Sequence, residues 1–472
     1  MTSPRFMLRP LGAAVFLLLA APLAALAQAP QDTTYRYEYD ALGNRTRITD
    51  PLGRVTSTSY DALNRLVLAT DAASGITRYG YDGLDQLIAV TDPRNLTTAY
   101  TIDGLGNQTA QASPDTGTTT RTVDAAGNVL ASTDAKGQTT RYQVDVLNRI
   151  TRITHADGQQ ITYAYDQGSH ALGRLTQVSD ASGTIAYAYD PKGRVGTETR
   201  TLGAIAYVTG YGYDSTGRLE RVTYPSGRIL TYARDALGRI SGIASSRNGV
   251  TTAVVSQVTY QPFGAIQSYV NGAGKTVTRS RDLDGRITGY TSGSGTQTIA
   301  WDAASRITAI GNPANPVASH QYGYDALDRL TQDIGAVTRT FGYDPAGNRT
   351  LHDIGASRHS ATIEPTSNRL LQVSAPGAST AYGYDANGSR TSDATRQYGY
   401  DARGRLVSVT NAQGTVFYRI NALGQRVHKN AAGSSTVYHY DGQGQLIGES
   451  TAQGVFGKEY VYLHDMPVAL FQ

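Results

Sequence analysis

Tyr35-Arg-Tyr-Glu-Tyr-Asp40-Ala-Leu-Gly43-Asn-Arg-Thr-Arg-Ile-Thr-Asp50-Pro-Leu-Gly53 decides the fold of this chain. Tyr35, Tyr37 and Tyr39 fall on one side of a period-two pattern, and Thr34, Arg36 and Glu38 fall on the other. That alternation is strand geometry. Asp-x-x-Gly follows at once, and a second Asp-x-x-Gly arrives ten residues later. An Asp carboxylate at the first turn position accepts N–H groups from the residues ahead, and Gly at the fourth tolerates positive φ. The unit reads strand, turn, strand, turn, with strands of ordinary length.

The unit recurs. Asp40, Asp61, Asp82, Asp103, Asp124, Asp145 and Asp166 are spaced by 21 residues. The period then loosens through Asp190, Asp214, Asp235, Asp282, Asp302, Asp325, Asp344, Asp385, Asp401, Asn421 and Asp441. Degenerate copies occupy Tyr260-Gln-Pro-Phe-Gly264 and Glu364-Pro-Thr-Ser-Asn368, in looser regions near 241–275 and 350–380. The fourth turn position is Gly in most copies, among them Gly43, Gly106, Gly127, Gly193, Gly217, Gly238, Gly347, Gly388, Gly404 and Gly444. These Asp and Gly residues are expected to build turns rather than carry chemistry. After the turn an aliphatic residue comes about five positions beyond Asp (Leu66, Leu87, Ile150, Leu406), often with another three further on (Val90, Ile153, Val409). That odd offset does not suit a straight two-faced strand; a bulge or a strong twist would reconcile it.

Composition agrees. Of 472 residues, 51 are Gly and 32 Tyr, against one Trp and seven Phe, and only six are Glu, which disfavours a helical protein. Large aliphatic residues are too sparse for several conventional cores, so each repeat is expected to bury its neighbours. Tyrosine rings should form ladders between repeats, their hydroxyls satisfied by Thr, Arg and Asp. The expected fold is all-β: one continuous sheet strip over residues 35–465, curling into a spiral shell whose closure stays open.

Cysteine is absent, which excludes disulfides and thiolate sites. At the N-terminus, Arg5 and Arg9, an apolar run from Leu11 to Leu26, and Ala25-Leu26-Ala27 form a secretory signal pattern. Cleavage is expected between Ala27 and Gln28, followed by a short segment 28–34. Removing residues 1–27, with two Arg and no acid, lowers the formal charge from +4 to +2. Arg is spread along the repeats rather than gathered in a patch, so no nucleic-acid partner is expected. No membrane span is expected after cleavage. The turn Asp residues recur too regularly to be glycosidase carboxylate pairs, and each turn offers mainly one carboxylate, too few for Ca²⁺. No catalytic residue, metal or cofactor is expected.

Tyr187-Ala-Tyr-Asp190-Pro-Lys-Gly193-Arg-Val195, Tyr211-Gly-Tyr-Asp214-Ser-Thr-Gly217-Arg-Leu219 and Tyr398-Gly-Tyr-Asp401-Ala-Arg-Gly404-Arg-Leu406 resemble the repeat of the YD-repeat, or RHS-repeat, family. Glu459-Tyr-Val-Tyr-Leu-His-Asp-Met-Pro-Val-Ala469 resembles the end of the RHS core, so residues 466–472 are expected to be its truncated last part. The resemblance implies a strip spiralled into a hollow shell, which encloses a toxin in bacterial members and serves adhesion in teneurins. The family's autocleavage site and variable toxin domain have no counterpart before Gln472. The expected function is therefore an exported, non-enzymatic shell segment whose partner is a separately encoded toxin cargo or further RHS core. The alternative is a secreted or surface protein that binds carbohydrate. The ending also leads to an expectation of an unpaired strand around Tyr460 and Tyr462, with Val461, Leu463, Val468 and Leu470 beside an open edge.

Overall fold

The computed structural model describes residues 33–262, 264–292 and 295–472. The proposed signal peptide and its Ala27/Gln28 junction lie outside them. Among the described residues there are 43 strands and one 3₁₀ turn, Pro316–Ala318. No described helix is long and apolar enough to cross a membrane. Strands pair antiparallel with their sequence neighbours, except that Ala378–Ala381 and Gly383–Tyr384 do not pair with each other. The first 33 strands make one sheet and the last ten a second. Tyr382, between strands Ala378–Ala381 and Gly383–Tyr384, donates its N–H to the Leu371 carbonyl at 2.9 Å, so the strip runs on across the junction.

The turns repeat one geometry. Asp61 Oδ1 accepts the N–H groups of Leu63 and Arg65, and its Oδ2 accepts Arg65 Nε at 2.8 Å. Asn64 N–H donates to the Asp61 carbonyl, with Asn64 at φ +59°. At the equivalent position in the first repeat Gly43 has φ +85°. The second turn at Asp50 is built the same way.

A bulge explains the odd aliphatic offset. Gly80 faces Ala89 and Tyr81 faces Leu87, which leaves Ile88 extra. Leu87 and Val90 thereby oppose Tyr81 and Tyr79 on one face. The shift recurs at Tyr142/Val144 with Ile153/Ile150 and at Tyr398/Tyr400 with Val409/Leu406. A bulge also strengthens local twist.

The tyrosines depart from expectation. Their hydroxyls donate mainly to backbone carbonyls at the bulges of the preceding repeat: Tyr81 to Leu66 at 3.0 Å, Tyr165 to Ile150 at 2.9 Å and Tyr324 to Ile307 at 2.7 Å. Successive rings are bridged by arginine rather than stacked on each other. Arg65 lies 4.8 Å from the Tyr81 centroid, Arg149 4.3 Å from Tyr165 and Arg306 4.8 Å from Tyr324. The same arginine is the one that pairs with the turn Asp, so in the repeats that carry it carboxylate, guanidinium and ring link one repeat to the next. A cation over a ring contributes about 0.5–2 kcal/mol. The intervening strand keeps rings of successive repeats too far apart to touch.

The strip winds back on itself. Arg54 reaches the Ala326 carbonyl and pairs with Asp328. Arg94 reaches the Ser367 and Glu364 carbonyls and Asn368 Oδ1. Asn387 Nδ2 donates to Asp134 Oδ2 at 2.6 Å, and Arg200 Nη1 to Gln425 Oε1 at 2.6 Å. Such partners are 225 to 276 residues apart. Second turns of early repeats thus interlock with YD turns of late repeats, joining two layers by side chains rather than by a strand ladder. From Val55–Tyr60 to His320–Tyr324 one layer holds 25 strands. At about 4.8 Å per strand its contour is roughly 120 Å and its width roughly 38 Å.

The accessible area is 27,483 Å². A compact monomer of this mass exposes about 17,000 Å², and residues 1–32 add at most about 5,000 Å² even as free chain. The excess is what a wound sheet with two accessible faces produces.

The C-terminal end corrects the open-edge expectation. His464, at φ +59°, turns the chain so that Met466–Phe471 pairs with Phe456–Leu463. Val461 and Leu463 are fully buried with Leu230, Ile243, Val254, Val255 and Ile447. Val468 and Phe471 pack against that cluster, and only Leu470 stays exposed. The reason is tertiary: this last hairpin folds over the face of strands 219–271 instead of ending the strip in solvent.

Candidate functional site

Where the C-terminal strands cross that face they leave a cavity of about 500 Å³. Tyr187, Tyr211, Tyr213, Tyr224, Tyr232 and Tyr462 line it, with Glu198, Arg234 and Asp441. Tyr187, Tyr211 and Tyr213 come from YxYD strands, Tyr224 opens a second turn, and Tyr462 comes from the C-terminal hairpin. Tyr224 donates its hydroxyl to the Tyr460 carbonyl at 2.8 Å, and Gly442 N–H donates to Tyr211 Oη at 2.7 Å, tying the two layers across the cavity. Arg234 is held by the carbonyls of Gly238 and Leu219.

Glu198 is 1% exposed. Its Oε1 accepts Arg200 Nε, and its Oε2 has no hydrogen-bond partner among the described residues. Burial raises its carboxyl, and burial likewise raises Asp441. Burial pushes the Tyr187 and Tyr232 hydroxyls up to about 12 and raises Tyr211 and Tyr224 as well. Beside the cavity His439, pushed down to about 3 by burial, packs 4.4 Å from the Tyr207 ring and bonds Ser450. Phenols, two carboxyls raised by burial and the Arg234 guanidinium give the cavity a polar lining.

A second buried cluster fastens the C-terminal hairpin. Glu459 accepts Arg228 Nε at 2.9 Å, Arg247 Nη1 at 3.0 Å and the Ser226 hydroxyl. Arg228 also donates to Ser245 Oγ and lies 3.7 Å from the Phe471 centroid.

The turn residues singled out from sequence divide between two rims. Asp325, Asp344, Asp385, Gly388 and Asp441 lie where layers meet. Asp40, Gly43, Asp61, Asp82, Asp103 and Asp124 lie on the rim of the first layer. Sequence reasoning missed Glu198, Glu459, Arg228 and His439. The available signal was rarity: two of only six Glu in an Asp-rich chain are the buried ones.

A meandering strip of YD hairpins wound into layers defines a shell-type scaffold. The RHS Repeat family model matches residues 26–55, 39–77, 60–96, 81–120, 123–160, 170–205 and 208–252, and the Teneurin YD-shell model matches 295–445. The chain belongs to the RHS/YD-repeat family. No curated protein sequence matches it. The fold is similar to the crystal structure of TcdB2-TccC3, with TM-score 0.72 and 17% identity over 90% of this chain. It is similar also to TcdB2-TccC3 without its hypervariable C-terminal region, with TM-score 0.72 and 15% identity over 92%. A Tc holotoxin pore of Photorhabdus luminescens gives TM-score 0.70 at 15% identity over 92%. This chain spans only 28–30% of the length of those chains.

Proposed function

We propose that this chain is a non-enzymatic, exported shell segment of an RHS-type toxin system that encloses a separately encoded polypeptide. The observation that supports it most is the rim-to-rim seam, which winds the strip into a layered wall roughly 38 Å across with both faces accessible. The likeness to TcdB2-TccC3 adds to it. The turn Asp and Gly residues are read as builders of that wall. The test is co-expression of residues 28–472 with the polypeptides encoded beside it. A cargo that co-purifies and resists added protease until the shell is denatured supports the reading. A shell that leaves every such polypeptide fully digestible overturns it.

A second reading, a surface protein that binds carbohydrate, is favoured by the first strand. Tyr35, Tyr37 and Tyr39 are all exposed on one face there, available to stack on sugar rings. Glycan binding lost in a Tyr37→Ala/Tyr39→Ala variant would support it.

A further inference from the structure

The YD turns of the first layer carry a row of leucines two residues after Asp: Leu42, Leu63, Leu84, Leu105 and Leu147. All five are 64–77% exposed, from Leu63 at 64% to Leu105 at 77%. Neighbouring leucines are two strands apart, about 10 Å. Monomeric proteins seldom expose so continuous an apolar line.

The chain itself shows what covers such a rim. From Asp325 onward the same YD turns are capped by second turns of the layer before, through Arg54, Arg94 and Asn387 with Asp134. In that covered stretch the equivalent Leu327 is half-buried, and Leu423 falls to 44%. The opposite rim, formed by second turns of the late repeats, is free in its turn. Its turns at 334–337 and 354–356 are apolar, whereas Arg54, Arg94 and Asp134 make the covered rim polar. Ile334, Val337 and Ile354 are exposed there and adjoin one another, since Gly355 lies against Val337.

We infer that these two free rims are the halves of one interface, and that a second copy of this chain seats its late second-turn rim on the leucine rim of the first. The contact continues the internal seam from one molecule to the next. Because the rims differ, the contact is head-to-tail and adds further copies rather than closing at two. It does not depend on any cargo or glycan.

Sedimentation of residues 28–472 from about 1 to about 100 µM, the range in which ordinary reversible interfaces populate, tests it. The wild type is expected to progress from monomer to dimer and longer species. Leu63→Asp/Leu84→Asp blocks one rim and Val337→Asp/Ile354→Asp the other. Each variant alone is expected to stay monomeric, with a dissociation constant raised at least tenfold. An equal mixture of the two is expected to form a dimer and nothing larger, since one intact rim remains on each. Circular dichroism and melting show that the variants fold; should an Asp pair fail to fold, Leu63→Ser/Leu84→Ser replaces it. A wild type that stays monomeric throughout overturns the inference. So do oligomers that survive either variant, and so does a mixture that never dimerises.

Discussion

Glu459→Ala should release the C-terminal hairpin. Glu459 is 2% exposed and receives two guanidinium groups and a hydroxyl. The substitution leaves Arg228, whose side chain is 9% exposed, without its anion. An uncompensated buried charge of this kind costs about 3–5 kcal/mol. Arg247 is 39% exposed and adds at most about 1 kcal/mol. Repeat arrays respond through neighbouring units, so the loss should appear first as local opening. Amide exchange at Val461 and Leu463 is therefore expected to accelerate by roughly two to three and a half orders of magnitude, one order per 1.4 kcal/mol. Exchange at Ile48 and Thr58, far along the strip, should not change. Glu459→Gln keeps an acceptor but not the charge, and should cost about 1.5–3 kcal/mol. Arg228→Met combined with Glu459→Met removes both charges and should recover most of the protection. Acceleration below tenfold in Glu459→Ala would refute the claim that this cluster holds the hairpin.

Gly388→Ala and Gly404→Ala should separate seam from turn. Both residues have positive φ, +78° and +72°, where a Cβ costs about 1–2 kcal/mol. Only at Gly388 would the Cβ also collide with the Asp115 carbonyl of the other layer, whereas Gly404 faces open space. Urea denaturation should show the larger loss at Gly388, and equal losses would argue against a tight seam. Asp441→Asn tests the cavity carboxyl. Burial raises the folded-state value of Asp441, so its contribution is full below the unfolded value near 4 and fades as pH rises through the folded value. The variant should gain stability over wild type at pH 7, with the gain vanishing near pH 4; a gain that grows on acidification would contradict this. Asp393 has the opposite sign. The Tyr398 hydroxyl holds it down to about 2, so its contribution is present above about 4 and lost as pH falls towards 2. Melting curves of Tyr398→Phe should converge with wild type at the acid end. N-terminal sequencing of exported protein should begin at Gln28.

Sequence alone determined the all-β class, the two turns per repeat and the residues at their corners. Each of these depends on groups within about ten residues: Asp61 captures the N–H of Leu63 and Arg65 whatever the rest of the chain does. The bulge was half legible, since the offset from Leu87 to Val90 demanded a local irregularity without naming it. Tertiary structure decided which YD turns are covered and which are bare. Asp325 and Asp61 look alike in sequence, yet Asp325 sits in a turn that receives Arg54 across the seam, while Asp61 has only its own repeat. That pairing is set by how many strands complete one turn of the spiral, a sum of small twists and bulges over some 25 strands. The same accumulated curvature carries Glu459 to Arg228, 231 residues away, and folds the last hairpin over a face that no local pattern in Phe456–Phe471 could specify.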